Sequence, residues 1–107
     1  MKLARLSPRA ERDLDSIHDF IAGDNPDAAA RVRKAILNTA DFFARYPELG
    51  RRIRDASPKH AQIRWSVVPR FRNYLIFYQP FRDTIMVVRI LHAAQDWTRF
   101  FPASPKS

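Results

Sequence analysis

The chain has 107 residues, a formal charge of +8, eight prolines, two glycines and no cysteine. Its length suits one domain with a single core that needs no covalent staples. The absence of thiols excludes disulfides, thiolate-bound metals and cysteine redox chemistry. No apolar leader or membrane-length apolar run is present, so a cytoplasmic protein with no membrane partner is expected.

The placement of the charge is more informative than its size. Residues 1–44 carry seven cations and seven acids, whereas residues 45–107 carry twelve cations and four acids. Arg45, Arg51, Arg52, Arg54, Lys59, Arg64, Arg70 and Arg72 are concentrated between positions 45 and 72. This asymmetry points to an anionic partner, which can be nucleic acid, a nucleic-acid-bound machine or an acidic protein segment. Arginine outnumbers lysine fifteen to four, and its planar fork suits phosphate or carboxylate recognition. A solvated basic face is the plainer alternative.

Lys2 to Leu6 alternates and reads as a first strand. Ser7-Pro8 then starts a helix: the serine hydroxyl caps free amides, and proline at the first helical position loses no hydrogen bond. Ala10, Leu14, Ile17 and Ile21 form its buried stripe, and Gly23 is expected to end it in the usual glycine position. Asn25-Pro26 starts a second helix, with Ala29, Val32, Ile36, Ala40 and Phe43 inward and Leu37 and Phe42 widening that face. Tyr46-Pro47 ends it. Two long helices joined so tightly fold back as an antiparallel hairpin. Glu11, Asp15 and Asp19 line one side of the first helix and read as a solvated acidic face. Glu48 to Gln62 is a polar loop long enough to carry function.

Three strands follow, at Arg64 to Val68, Tyr74 to Gln79 and Thr84 to Leu91, rich in the residues that suit a pleated sheet. Pro69 and Pro80 are expected to mark strand ends, because proline cannot donate to a ladder. The short connections allow only antiparallel neighbours. Counting directions along the chain makes the first strand antiparallel to the second and fourth. The expected fold is α+β: an N-terminal strand and a helical hairpin packed on one face of a three- to four-stranded antiparallel sheet. Residues 1–99 would form the domain, and residues 100–107 a partly disordered tail.

In the last strand, period-two alternation puts Ile85, Val87, Arg89 and Leu91 on one face and Met86, Val88, Ile90 and His92 on the other. Both faces are apolar, so this molecule or a partner must cover the second one. Arg89 inside such a stripe either pairs with a carboxylate or marks an anion or partner site. His92 is expected to bond Asp96, one turn later. Trp65 and Trp97 suit core or hairpin cover better than stacking platforms. Three scattered histidines give no metal-ligand spacing, and no cofactor is expected.

Four blocks in this order resemble the ParE/RelE superfamily of toxins from bacterial toxin–antitoxin pairs. They are Leu6-Ser7-Pro8-Arg9-Ala10, Tyr46-Pro47-Glu48-Leu49-Gly50, Arg72-Asn73-Tyr74-Leu75-Ile76-Phe77-Tyr78, and Arg89-Ile90-Leu91-His92-Ala93-Ala94-Gln95-Asp96-Trp97. The resemblance runs from about residue 3 to 97 and is greater to the ParE branch. It implies a plasmid-stabilisation type of toxin that binds and inhibits DNA gyrase and is neutralised by a cognate antitoxin, ParD-like or another ribbon-helix-helix protein. Its toxic or partner surface would include Arg64, Arg70, Arg72, Arg89, His92, Asp96 and Trp97. The RelE branch implies instead a ribosome-dependent mRNA endonuclease, with ribosome and mRNA as partners and Lys59, Arg89 and His92 as catalytic candidates. His60 is a further candidate by residue type alone. Ala93-Ala94 stands where a Gly-Arg pair often follows the histidine in the family, which also leaves room for an attenuated toxin or a non-toxic regulatory homologue.

Overall fold

The computed structural model describes residues 3–102. The elements are β1 (Arg5–Leu6), α1 (Pro8–Ala22), α2 (Pro26–Arg45), β2 (Arg51–Arg52), β3 (Arg64–Val68), β4 (Phe71–Phe81) and β5 (Thr84–His92). Short 3₁₀ turns lie at Pro47–Leu49, Pro58–His60 and Trp97–Arg99. Both helices start as their capping residues require. Ser7 Oγ accepts from the Ala10 amide at 3.0 Å, and Asn25 Oδ1 accepts from the Ala28 amide at 3.0 Å. Each such cap is worth about 1 kcal/mol. Gly23 is an exception to expectation. Its φ of −56° is right-handed, so it serves the tight link to Asn25 without a left-handed cap. Lys2 lies outside the described residues.

The α+β architecture is the expected one, but the sheet differs in two respects. It has five strands in the order β1-β5-β4-β3-β2, and β1 runs parallel to β5. The cause is β2. It pairs antiparallel with β3 inside the segment read as an irregular loop, which adds one reversal of chain direction and inverts every later strand. Pro80 also falls inside β4, opposite Ile85. At that point β3 has ended, since its first residue, Arg64, pairs with Tyr78. Only β5 flanks Pro80, and an edge tolerates the missing donor.

One face of the sheet packs against the helices. Ala10 and Leu14 of α1 and Val32, Ile36, Ala40 and Phe43 of α2 meet Val68, Ile76, Tyr78, Ile85, Val87 and Ile90. A bulge between Phe77 and Tyr78 of β4, where Arg89 and Val87 are the respective partners on β5, breaks the simple alternation. Val88 is the extra residue. Ile85, Val87 and Ile90 therefore share the helix face, while Val88 and Leu91 join the outer one.

The outer face is covered by the chain itself, so of the two expected covers, this molecule or a partner, the first is the one present. Ile53 and Ile63 from the β2–β3 segment and Phe101 from the C-terminal end close over Leu75, Phe77 and Leu91. Phe101 is 5% exposed and stacks on Phe77 with ring centroids 4.7 Å apart. The packed body thus extends through Phe101. Among the described residues the large apolar side chains left exposed are Leu3, Phe20, Phe42, Tyr46 and Leu49.

Two polar anchors set the register of these layers. Arg89 forms a bidentate pair with Asp13 of α1 (Nε–Oδ2 2.8 Å, Nη2–Oδ1 3.0 Å), and Asp13 Oδ2 also accepts from the Ile90 amide at 2.9 Å. Of the two readings of Arg89, the carboxylate partner is the one present. Tyr78 Oη donates to Pro47 O at 2.7 Å and accepts from the Gly50 amide at 2.9 Å. Gly50 has an extended φ of −74°, so space is what it supplies. A Cβ there would collide with the Tyr78 hydroxyl and lie 2.8 Å from Cζ.

Asp13→Ala and Arg89→Ala should each cost about 3 kcal/mol, the low end for a buried pair with one partner removed. The double variant should be less destabilised than the sum, as read by denaturant unfolding. Burial raises the Tyr78 phenol above its ordinary 10.0, outweighing the bond from Gly50 and the nearby Arg64 charge, both of which lower it. Above pH 10.0 the unfolded chain loses this proton first, so folding stability contributed by Tyr78 is complete below that pH and falls as pH climbs through the raised value. Tyr78→Phe should lose about 1–3 kcal/mol at neutral pH and show a shallower alkaline decline; an unchanged decline would contradict this assignment.

Candidate partner-binding surface

The cations of the second half fall into two groups. Some hold the chain together. Arg64 Nη1 donates to Glu48 O at 3.2 Å and to Gly50 O at 2.9 Å, and Arg52 Nη1 donates to Ala61 O at 3.2 Å. The Arg89 guanidinium is committed to Asp13 and also lies over the Phe100 ring, 4.3 Å from its centroid.

The others face solvent. Arg51 lies over the Trp65 ring at 5.6 Å. Arg70 occupies the β3–β4 turn at φ 72°, and Arg72 is the second residue of β4; both are exposed. Arg54 and Lys59 are exposed in the β2–β3 segment. Among the described residues the ion pairs are His18–Asp19, Arg33–Asp15 and Arg89–Asp13, and none uses a cation from the 45–72 cluster. The positive charge around β2, β3 and their turn is therefore not neutralised by neighbouring carboxylates. Asp15 of the acidic stripe does meet Arg33 of α2 at 3.3 Å.

The residues beyond β5 make local bonds different from those expected. His92 Nδ1 accepts from the Ala94 amide at 3.0 Å, which assigns the proton of the neutral ring to Nε2. The His92 amide donates to Gln95 Oε1 at 2.8 Å, and the ring meets Tyr74 edge-on at 5.3 Å. Asp96 is not its partner. That carboxylate accepts from the Thr98 amide at 3.2 Å and from the Thr98 hydroxyl, capping the last 3₁₀ turn. The backbone reversal after His92 brings the Ala94 amide onto its ring nitrogen, and the carboxylate four positions on turns to Thr98 instead. Trp97 is half-buried and packs with Trp65 and Phe77, at centroid distances of 6.3 and 5.8 Å. Both tryptophans cover the outer core.

The structure thus separates the sequence-selected residues by role. Arg70 and Arg72 are free surface cations, Arg64 and Arg89 are internal ties, and His92, Asp96 and Trp97 shape the C-terminal turn. No hydrogen bond or ion pair joins Lys59, Arg89 and His92 among the described residues. His60 Nδ1 lies 3.3 Å from Ser57 Oγ, and its ring meets Phe101 edge-on. Sequence reasoning missed Asp13 and Tyr78. Asp13 directly precedes the buried Leu14, so a charge at the margin of an apolar stripe was the available signal. For Tyr78 the signal was a phenol within an apolar strand, which needs a partner when buried.

A family model described as "ParE toxin of type II toxin-antitoxin system, parDE" matches residues 4–97. The chain is 38% identical over 96 residues to a putative toxin, Y4kP, of Sinorhizobium fredii, covering 90% of this chain and 93% of that one. It is 28% identical over 95 residues to Toxin RelE3 of Caulobacter vibrioides, covering 89% and 98%. Among solved structures, the "Chromosomal ParDE TA system from P. aeruginosa" matches with a TM-score of 0.67 at 18% identity, covering 86% of this chain and 96% of that one. That likeness shows a shared fold. The family match and the identity to Y4kP show more: the chain belongs to the ParE toxin family of type II toxin–antitoxin systems.

Proposed function

We propose that this ParE-family chain acts as a binding poison of DNA gyrase and is held inactive by a cognate antitoxin of the ParD or another ribbon-helix-helix type. The observation that carries this reading is the use of Arg89 and His92. Cleavage of RNA requires a proton acceptor and a cation directed at the reacting phosphate. Arg89 already donates twice to Asp13, and His92 Nδ1 is occupied by a backbone amide. Arg51, Arg70 and Arg72, which are exposed and in no ion pair among the described residues, surround β3. They suit attraction to an acidic surface or to a protein already on DNA.

A ribosome-dependent mRNA endonuclease is the second reading, favoured by the similarity to a protein named Toxin RelE3 and by His92 Nε2, which has no partner among the hydrogen bonds of the described residues. A non-toxic, partner-binding homologue is the third, motivated by Ala93 and Ala94 after the histidine. One pair of assays separates them. Added to gyrase and relaxed plasmid, the purified chain should suppress supercoiling and accumulate linear DNA, and should leave mRNA intact during coupled translation. Cuts mapped to paused codons with normal supercoiling would replace the gyrase reading with the ribonuclease one. Silence in both assays would favour the non-toxic homologue.

A further inference from the structure

The segments that close the outer core also carry exposed cations. Arg51 lies over the Trp65 ring, Arg54 follows the buried Ile53, and Lys59 stands in the 3₁₀ turn between Ile53 and Ile63. Arg72 comes from the start of β4. All four are exposed, and among the described residues none is in an ion pair. Glu48 and Asp55 are the only acids between positions 45 and 72. Like charges so gathered repel one another, and a polyanion relieves that repulsion.

Arg51 and Arg72 flank a notch of about 270 Å³ that Trp65 and Leu49 also line. Trp65 is anchored in the outer core, where it packs against Phe77 and Trp97. Its ring takes one face of the Arg51 guanidinium and leaves the N–H groups at the edge of the fork for an anion. What this surface lacks narrows the kind of anion. Protein interfaces centre on apolar anchors that leave water on binding. Here those anchors are already used within the fold: Phe77, Leu91 and Phe101 are buried, and Trp65 and Trp97 half-buried. Leu49 is the one large apolar side chain of the notch left exposed. A surface rich in cations and poor in exposed apolar groups matches a phosphate backbone, whose interfaces are polar and strongly positive.

We propose that this face binds the sugar–phosphate backbone of duplex DNA directly. One phosphate sits between Arg51 and Arg72, where two forks give charge-assisted bonds, and Arg54 and Lys59 meet its neighbours along the strand. Contacts of this kind position a protein without reading bases, so affinity is independent of sequence. The choice of DNA over RNA rests on the gyrase reading above, because gyrase works on duplex DNA; the phosphate chemistry does not depend on it. The toxin then touches the DNA that gyrase holds as well as the enzyme.

The test is fluorescence anisotropy of the full chain with two short labelled DNA duplexes of unrelated sequence. Both should bind alike. With about four phosphates neutralised, affinity should fall about a hundredfold between about 50 and 200 mM salt. Arg51→Ala and Arg72→Ala should each weaken binding several-fold and reduce the slope of log affinity against log salt by about one. Arg72→Lys should keep the original slope. Arg9→Ala and Arg31→Ala, which remove the same charge from exposed positions on the helices, should leave it unchanged. Equal losses in all four alanine variants would reduce the effect to net charge and overturn the proposal. Polyglutamate or single-stranded RNA that binds as tightly as the duplex would overturn it too. Gyrase is absent from this assay, so the two readings fail separately. A chain that binds DNA but spares supercoiling keeps this inference and loses the gyrase one, and a gyrase poison without salt-dependent DNA binding does the reverse.

Discussion

The Asp13 carboxylate is the constraint on which the position of the helical layer depends. Apolar contacts between α1 and β5 would tolerate sliding, because dispersion and hydrophobic burial have little direction. Three donors, two from Arg89 and one from the Ile90 amide, remove that freedom. Each group is largely buried, at 14% and 12% side-chain exposure, so either one alone would be costly to keep charged. The β5 bulge makes the arrangement possible. It rephases the strand so that Ile90 enters the core while the Arg89 side chain reaches α1.

Tyr78 does for the loop what Asp13 does for the helix. Its ring stacks on Phe43 at 5.1 Å inside the helix-side core, and its hydroxyl holds Pro47 and Gly50. That placement starts β2 at Arg51 and ends its pairing there. The loop can then cross to the outer face, where Ile53 and Ile63 seal Phe77 and Leu91 together with the C-terminal aromatics. Stability and surface are linked through this residue, because the two bonds that anchor the loop also place the start of β2, which pairs with β3 at Arg64 and Trp65.

The exposed arginines gain significance from this frame. Arg51, Arg70 and Arg72 project from a two-residue strand, a tight turn and the start of a long strand, so the backbone sets their spacing, while their side chains keep rotamer freedom that a partner has to order. Family membership names the system in which such a partner is sought.

Much of this was legible in the order of residues. Ser7-Pro8 and Asn25-Pro26 start helices by bonds to amides three residues away, and the inward faces of both helices follow a 3.6-residue repeat that no distant contact needs to arrange. The β-rich runs after Arg64 and the concentration of arginine were equally local facts. The direction of β1, the inclusion of Pro80 in β4 and the phase of β5 were not. Each depends on which strand lies alongside: β2 for the extra reversal, the end of β3 for Pro80, and the partner register across Phe77 and Tyr78 for the bulge. The fate of Arg89 likewise turned on a carboxylate seventy-six positions away. Sequence alone determined both helices, the strands other than β2 and the family resemblance, because caps, periodicity and motif blocks act over a few residues. Tertiary structure decided which cations are bound within the fold and which remain free, because that depends on groups brought together only when the layers close.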